Sequence, residues 1–254
     1  MKNLTVIIPV YELNEEKNVL LLKAIESVDD SKLFIIGPKK DIEVVKSLKG
    51  IVHEYHAIEN ETIDTSYANQ VNMAVREVKT DYFSVLEYDD IFTPTWFTNV
   101  IKYMEHDTDD TFCFMPLTEV VDVTLGSVGY ANEAVWASSF TDEMGYYDIQ
   151  CLEDYLDFNT SGAIFKTNDF INLGALKVSM KLSFWYEFMM RALYKGRRFF
   201  VVPKVGYIHH VGINDSLSAQ YANNMEDKEA NWWIDLAKKE YFFPHDRNKK
   251  YTEE

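Results

Sequence analysis

An α/β fold with a doubly wound sheet, in a single domain, is what this 254-residue sequence predicts. Strand-like and helix-like segments alternate through roughly the first hundred residues, the order that builds such sheets. The strand-like segments are continuous aliphatic runs, the pattern of strands covered on both faces. Apolar residues make up 47% of the chain and aromatics 15%, which is enough to fill a sizeable core.

The first strand is Leu4 to Val10. "NEEKNVLLLKAIESV" follows as a helix with acids in its first turn and with Val19, Leu22, Ile25 and Val28 toward the core. "KLFIIGP" is a second buried strand stopped by Gly37-Pro38, "KDIEVVKSLKG" a helix with Gly50 as its C-cap, and "IVHEYHAI" a short third strand. In "SYANQVNMAVREV", residues Ala68, Val71, Ala74 and Val78 share one helical face. Tyr82 to Leu86 is the fourth strand, and it runs straight into Glu87, Tyr88, Asp89 and Asp90. "TPTWFTNVIKYMEHD" starts the next helix, with Thr93 as cap and Pro94 in the first position.

Farther on, "TFCFMPL", "SGAIFKT" and "RRFFVVPKVGYIHHV" read as strands. "KLSFWYEFMMRALYKG" is a helix closed by Gly196, and "AQYANNMEDKEANWWIDLAKKEYFF" is a terminal helix. Residues 118–159 have no clear period and read as irregular, with short strands. The expected organisation is one domain over residues 1–215. It divides into a Rossmann-like, nucleotide-binding half at 1–100 and a more irregular half at 101–215, with a helical extension at 216–254 packed upon it.

The net charge is −16. Such a surface repels phosphate backbones and anionic headgroups, so nucleic acid is disfavoured as a partner. No apolar stretch reaches membrane-spanning length. Cys113 and Cys151 lack metal-ligand spacing and read as free thiols of a reducing compartment, so a cytoplasmic location is expected. No glycine occurs in "PVYELNEE", which argues against a backbone phosphate cradle after the first strand.

The acids after the fourth strand need a reason to crowd together. In open α/β sheets, ligands bind at the carboxyl ends of strands, and hard oxygen ligands there suit Mg²⁺ or Mn²⁺. A divalent ion would relieve the repulsion and hold a diphosphate. The plainer alternative is that the acids cap the next helix or face water.

Four stretches together resemble the family-two glycosyltransferases, enzymes of GT-A fold that use nucleotide-sugar donors. They are "TVIIPVYELNEEKNVLLLKAIESV", "SYANQVNMAVREVKTDYFSVLEYDD", "SGAIFKTNDFINLGAL" and "FWYEFMMRALYKGRRFFVVPKVGYIHH". The resemblance implies a GT-A-like sheet whose second half takes the acceptor. It implies metal-dependent transfer of a sugar, with inversion, from a nucleotide-sugar donor to a glycan or other hydroxyl acceptor. It sets Pro9, Tyr11 and Glu12 against the nucleobase and ribose, and it puts Asn72 at the family asparagine. Glu87 stands at the ribose position and Asp89 on the metal. Asp90, the third acidic position, joins the catalytic residues.

Three positions depart from the family pattern. Glu87 replaces an aspartate. "IIGPKKD" lacks the adjacent acids that read a pyrimidine edge, since Asp41 comes several residues late. Trp185 occupies the place, six residues before Arg191, where the catalytic base usually stands. Glu187 is the nearest acid and reads equally as the base or as an i, i+4 partner of Arg191; Glu153 and Asp154 are weaker alternatives. Without a base, the chain would be a nucleotide-sugar-binding protein that transfers nothing. Strand alternation sends His209 and His210 to opposite faces, so at most one meets the site. His210, nearer the turn "GINDSLS", is the expected metal ligand. Trp136, Tyr146 and Tyr147 are expected to pack in the core rather than stack on sugars. Trp232 and Trp233 dock the terminal helix, a homo-oligomer interface being the alternative.

Overall fold

A computed structural model describes residues 1–62, 66–213 and 227–241. Strands β1 (Leu4–Pro9), β2 (Lys32–Pro38), β3 (Tyr55–Asn60) and β4 (Tyr82–Val85) are parallel neighbours in the order β3-β2-β1-β4. Beyond β4 the sheet becomes mixed. β8 (Ile164–Lys166) runs antiparallel to β4 and to β6 (Cys113–Asp122), and β9 (Phe199–Val211) lies parallel to β6. The two-residue β5 (Ile91–Phe92) closes the sheet against β9, and β7 (Gly126–Ala131) forms a hairpin with β6.

Side chains alternate across a strand, so two cores form, one on each face. Leu4, Val6, Ile8, Leu33 and Ile35 point to one face, covered by α1 (Glu15–Glu26), α2 (Lys39–Ser47) and α4 (Trp96–Glu105). Ile7, Ile36, Phe83 and Val85 point to the other. That face carries α3 (Tyr67–Glu77), the short α5 (Cys151–Asp154) and α6 (Thr167–Asn172), α7 (Phe184–Tyr194) and α8 (Asp227–Tyr241). The sheet is thus doubly wound, as the continuous aliphatic strands require.

Most predicted elements are present. Ala68, Val71, Ala74 and Val78 all bury on α3. In α1 the buried face is Leu21, Ala24 and Ile25, with Val28 just beyond the helix; Val19 is 55% exposed and Leu22 only half-buried. The run "VLLL" offers two faces, and the sheet takes the one that carries Leu21, a residue earlier than Leu22. α2 ends at Ser47 because Leu48 is extended, so Gly50 caps nothing although its φ is positive. Helix α4 begins at Trp96, not Pro94. The Thr93 hydroxyl donates to the Val205 carbonyl (2.9 Å), tying the loop to β9 instead of capping.

β5 and α6 are elements the sequence pattern hid, while β7 is one of the short strands expected in residues 118–159. β5 is too short, at two residues, for hydrophobic alternation to show. Of the predicted terminal helix, residues 219–226 and 242–243 lie outside the described residues. The described part packs through Trp233, Ile234 and the fully buried Ala237, while Trp232 stays 54% exposed. Tyr147 is buried, Trp136 meets Phe200 edge-on, and Tyr146 is covered by the Arg198 guanidinium 4.0 Å from its ring centre. Tyr147 and Trp136 therefore pack in the core as expected, whereas Tyr146 lies half-buried outside both cores.

Candidate functional site

The site forms where β4 ends. Asp90 N–H bonds back to the Glu87 carbonyl (3.2 Å), so Glu87–Asp90 is a tight turn, and β5 follows at once. Each of Glu87, Asp89 and Asp90 offers a carboxylate oxygen, and these lie within 4.8 Å of one another. Asp89 and Asp90 are buried and Glu87 is half-buried.

Crowding is visible in the protonation. Burial, then the charges of Glu87 and Asp90, raise the Asp89 carboxyl to about 8. Burial and then Asp90 raise Glu87 as well. The acids are held in place by distant parts of the chain. Glu87 accepts from the Ser161 hydroxyl (2.6 Å), and its N–H donates to the Tyr207 hydroxyl oxygen (3.1 Å). Gly162 is what lets this pair approach: its φ is +76°, and a Cβ there would lie 2.3 Å from the Tyr207 ring.

Both histidines reach the turn, which corrects the expectation that at most one does. His209 Nδ1 lies 3.0 Å from Asp90 Oδ2. His210 donates its backbone N–H to Asp90 Oδ1 (2.7 Å), and its ring Nδ1 lies 2.8 Å from the Asp89 carbonyl. The reason is register: Ile91 pairs with Ile208, so the acidic turn lies edge-on alongside β9 and meets side chains from both of its faces. Burial works against charging His209, but the hydrogen bond and charge of Asp90, with Glu87 and Asp89, lift the imidazole to about 9. His210 differs. A carbonyl only accepts, so Nδ1 is the donor to it, and Nε2 is the ring nitrogen left to meet an ion. The close acidic group itself contains neither histidine among the described residues.

The donor-side residues sit at the tip of β1. Pro9 is buried in the strand, Tyr11 is half-buried and Glu12 is exposed with φ +51°. The loop is fixed by buried Asp41, whose carboxylate accepts from the N–H groups of Glu12 (3.2 Å) and Leu13 (2.9 Å). Asp41 thus braces the loop. Lys40 Nζ lies 5.8 Å from the Tyr11 ring centre.

Two predicted site residues have their polar atoms engaged elsewhere. Asn72 donates to the Leu176 carbonyl (2.8 Å) and accepts from the Leu176 N–H (2.9 Å), so both ends of its amide clamp α3 to the segment after α6. Glu187 is fully buried. It takes two 2.9 Å bonds from Arg191, one of 2.7 Å from the Tyr241 hydroxyl, and lies 2.9 Å from Lys177 Nζ. Arg191 also donates to the Leu173 and Ala175 carbonyls. The pair with Arg191, one of the two roles open for Glu187, is thus formed. Burial works to raise its carboxyl, but Arg191, Tyr241 and Lys177 win and hold it below the usual range, which is the wrong direction for a base at neutral pH. Trp185, at the usual base position, stacks on Phe165 with ring centres 5.4 Å apart.

Ser161 and Tyr207 are the residues the sequence reading missed. Their only signals were a serine before a glycine and a tyrosine one strand repeat before His209.

Residues 5–127 match the family model "Glycosyl transferase family 2", a span that contains β1 through β6 and the acidic cluster. No curated protein sequence matches the chain. Among solved structures, Staphylococcus aureus TarS 1–349 in complex with UDP-GlcNAc is similar with a TM-score of 0.65 at 14% identity, over 93% of this chain and 65% of that one. The mannosyltransferase PcManGT from Pyrobaculum calidifontis, in complex with GDP-Man and Mn²⁺, gives 0.59 at 12% identity, over 84% and 58%. GalNAc-T7 with UDP, GalNAc and Mn²⁺ gives 0.57 at 13% identity, over 83% and 44%. At such identities the likeness carries the fold, which is GT-A, and the chain spans 60–65% of the TarS 1–349 chains it matches. The family match supports a glycosyltransferase.

Proposed function

We propose that the chain binds a nucleotide sugar in the crevice between the β1 tip and the β4 turn and transfers the sugar, with inversion, to a hydroxyl acceptor. The observation that carries this is the acidic turn at the carboxyl end of β4, inside the span that matches the family model. The donor set fits Mn²⁺ or Mg²⁺: three carboxylate oxygens in close reach, two of the three acids with pKa raised by burial and by one another's charge, and a histidine ring nitrogen beyond the one that meets the Asp89 carbonyl. Asp89 and His210 would hold the ion. When bound, it would supply Lewis-acid stabilisation of the departing nucleoside diphosphate.

The chain's own residues do the rest. Tyr11 and Glu12 present the pocket for base and ribose, on a loop fixed by Asp41. Ser161 and Tyr207 orient Glu87. Asp90, bound to His209 and to the His210 backbone, sets the position of both histidines against the turn. Calorimetry with UDP and GDP, each with and without Mn²⁺, tests the reading. Wild type should bind one of them only with the ion, and Asp89→Ala should lose that binding. Equal affinity in the mutant overturns the assignment.

A second reading, donor binding without transfer, is favoured by one observation: Trp185 fills the base position and Glu187 is consumed by Arg191, Tyr241 and Lys177. Nucleoside diphosphate released only when acceptor hydroxyls are present marks turnover; tight metal-dependent binding without release marks the second reading.

A further inference from the structure

We infer that the chain holds a second carbohydrate site, at the end of the sheet opposite the acidic turn, which takes a neutral sugar ring. β6 and β9 run parallel, with Phe114 opposite Phe200 and Val121 opposite His210. His210 touches the acidic turn through its backbone bond to Asp90. Phe114 lies seven residues before Val121, so about 23 Å of strand separates the two places. There the last turn of α4, the segment 106–111 and the first residues of β6 and β9 line a cleft of about 440 Å³, a volume typical of small-molecule sites.

The floor of the cleft is aromatic. Phe200 stands at its centre, with ring centres 5.0 Å from Tyr146, 5.6 Å from Tyr103 and 6.4 Å from Phe114. Phe199 and Val201, its neighbours on β9, are fully buried. Phe200, Tyr103 and Tyr146 are half-buried and keep ring surface on the cleft. Flat rings of this kind pack against the C–H face of a pyranose as they do against other apolar surface.

A bulge supplies part of the rim. The β6–β9 register steps from Pro116 opposite Val202 to Leu117 opposite Val205, so Pro203 and Lys204 leave the ladder. Bulges re-aim side chains, and Lys204 stands exposed on the cleft wall. Lys102, in the last turn of α4, lines the same wall, and among the described residues neither lysine has a carboxylate partner. Asp107 and Asp109 supply the opposite sign. Asp109 accepts from the Tyr146 hydroxyl on one oxygen (2.9 Å) and keeps the other, while Asp107 accepts the Thr111 N–H and hydroxyl (both 2.8 Å). The rim thus donates through two ammonium groups and accepts through two carboxylates. An anion would meet the aspartates and a cation the lysines. A hydroxyl donates and accepts at once, so a neutral polyhydroxylated ring satisfies both kinds of group while its apolar face covers the aromatics. Two sources supply such a ring: the acceptor chain of the proposed transfer, or a free sugar.

Saturation-transfer NMR on the full chain tests this. The probes are the methyl glycosides of glucose, galactose, mannose and N-acetylglucosamine, with cellotriose, chitotriose and, as the anionic control, methyl glucuronide. At least one neutral probe should bind with a Kd of about 0.1–10 mM, the strength open to a small ligand on an exposed floor. Tyr103→Ala and, separately, Lys102→Ala/Lys204→Ala should each weaken that binding at least about fivefold. UDP or GDP with Mn²⁺ should not displace the sugar, which keeps this site distinct from the proposed donor site whether or not the chain transfers sugar. A trimer that binds at least about tenfold more tightly than its own single ring marks the acceptor chain as the source, and a smaller gain marks a free sugar. If Tyr103→Ala does not fold, the lysine variant, made at two exposed side chains, decides alone. No saturation transfer to any neutral probe, binding unchanged in a folded variant, displacement by either nucleotide with Mn²⁺, or methyl glucuronide binding more tightly than every neutral probe would each overturn the proposal.

Discussion

At Glu187 a single carboxylate faces Arg191, Lys177 and the Tyr241 hydroxyl with no water-facing surface. Removing the charge leaves the buried Arg191 without its counter-ion, which costs about 3–5 kcal/mol in comparable pairs. Glu187→Gln should therefore lower the melting temperature markedly, while metal-dependent nucleotide affinity per folded molecule stays near wild type. Calorimetry and melting on the same sample check it; a normal melting temperature with lost turnover would restore Glu187 as a base. The sign of its pH effect follows from the lowered pKa. Its stabilisation is present above the ordinary glutamate value and is lost as pH falls through the lower folded one. Asn72→Ala removes two buried bonds to Leu176 and should cost about 1–3 kcal/mol. Donor affinity should not change, and a selective loss of nucleotide binding with intact stability would return Asn72 to the pocket.

Elements place the acids by meeting edge-on. β5 is only two residues long, yet its register on β9 puts Asp89 and Asp90 beside His209 and His210. The loop before β8 supplies Ser161 and Gly162, so three separate segments converge on four residues. Gly162→Ala is the sharpest test of that convergence. The methyl meets Tyr207 at 2.3 Å, and the positive φ adds strain of order 1–3 kcal/mol. The expected result is loss of Mn²⁺-dependent nucleotide binding together with reduced stability. Tyr207→Phe, which removes only the bond from Glu87 N–H, should cost about 1 kcal/mol and weaken binding less. Equal nucleotide binding in Gly162→Ala and wild type would show that the acids do not depend on this packing.

For the whole molecule, pH sets how the acidic turn behaves without metal. Asp89 is raised to about 8 and His209 to about 9, so the folded state binds more protons than the unfolded chain between the ordinary and the raised values. Both contributions are present at low pH and are lost as pH rises through 8 and 9. Metal-free protein should thus melt at lower temperature at pH 9 than at pH 7. Mn²⁺ should reverse the trend at the site, because it displaces the Asp89 proton: its affinity should rise about tenfold per pH unit up to about 8 and then level off. Thermal melts and calorimetry across pH 6–9 give the two slopes, and a pH-independent Mn²⁺ affinity would falsify the assignment of Asp89 as a ligand.

Sequence alone determined the winding of the sheet, because strand alternation and helical faces are local properties of four to twelve neighbouring residues. It also determined that carboxylates crowd a strand tip, since Glu87, Asp89 and Asp90 are contiguous with β4. Tertiary structure alone decided what those carboxylates touch. Asp90 meets His209 across 119 residues, Glu87 meets Ser161 across 74, and Asn72 meets Leu176 across 104. Glu187 is the clearest case. Its partner Arg191 was legible at i, i+4, but the choice between base and structural pair was not. The contacts that bear on it are with Lys177 and with Tyr241, 54 residues away on α8, and no local pattern encodes whether a carboxylate's remaining lone pairs are already taken. Pairings of that kind depend on how separate elements stack on the sheet, and stacking is fixed only when the two cores close.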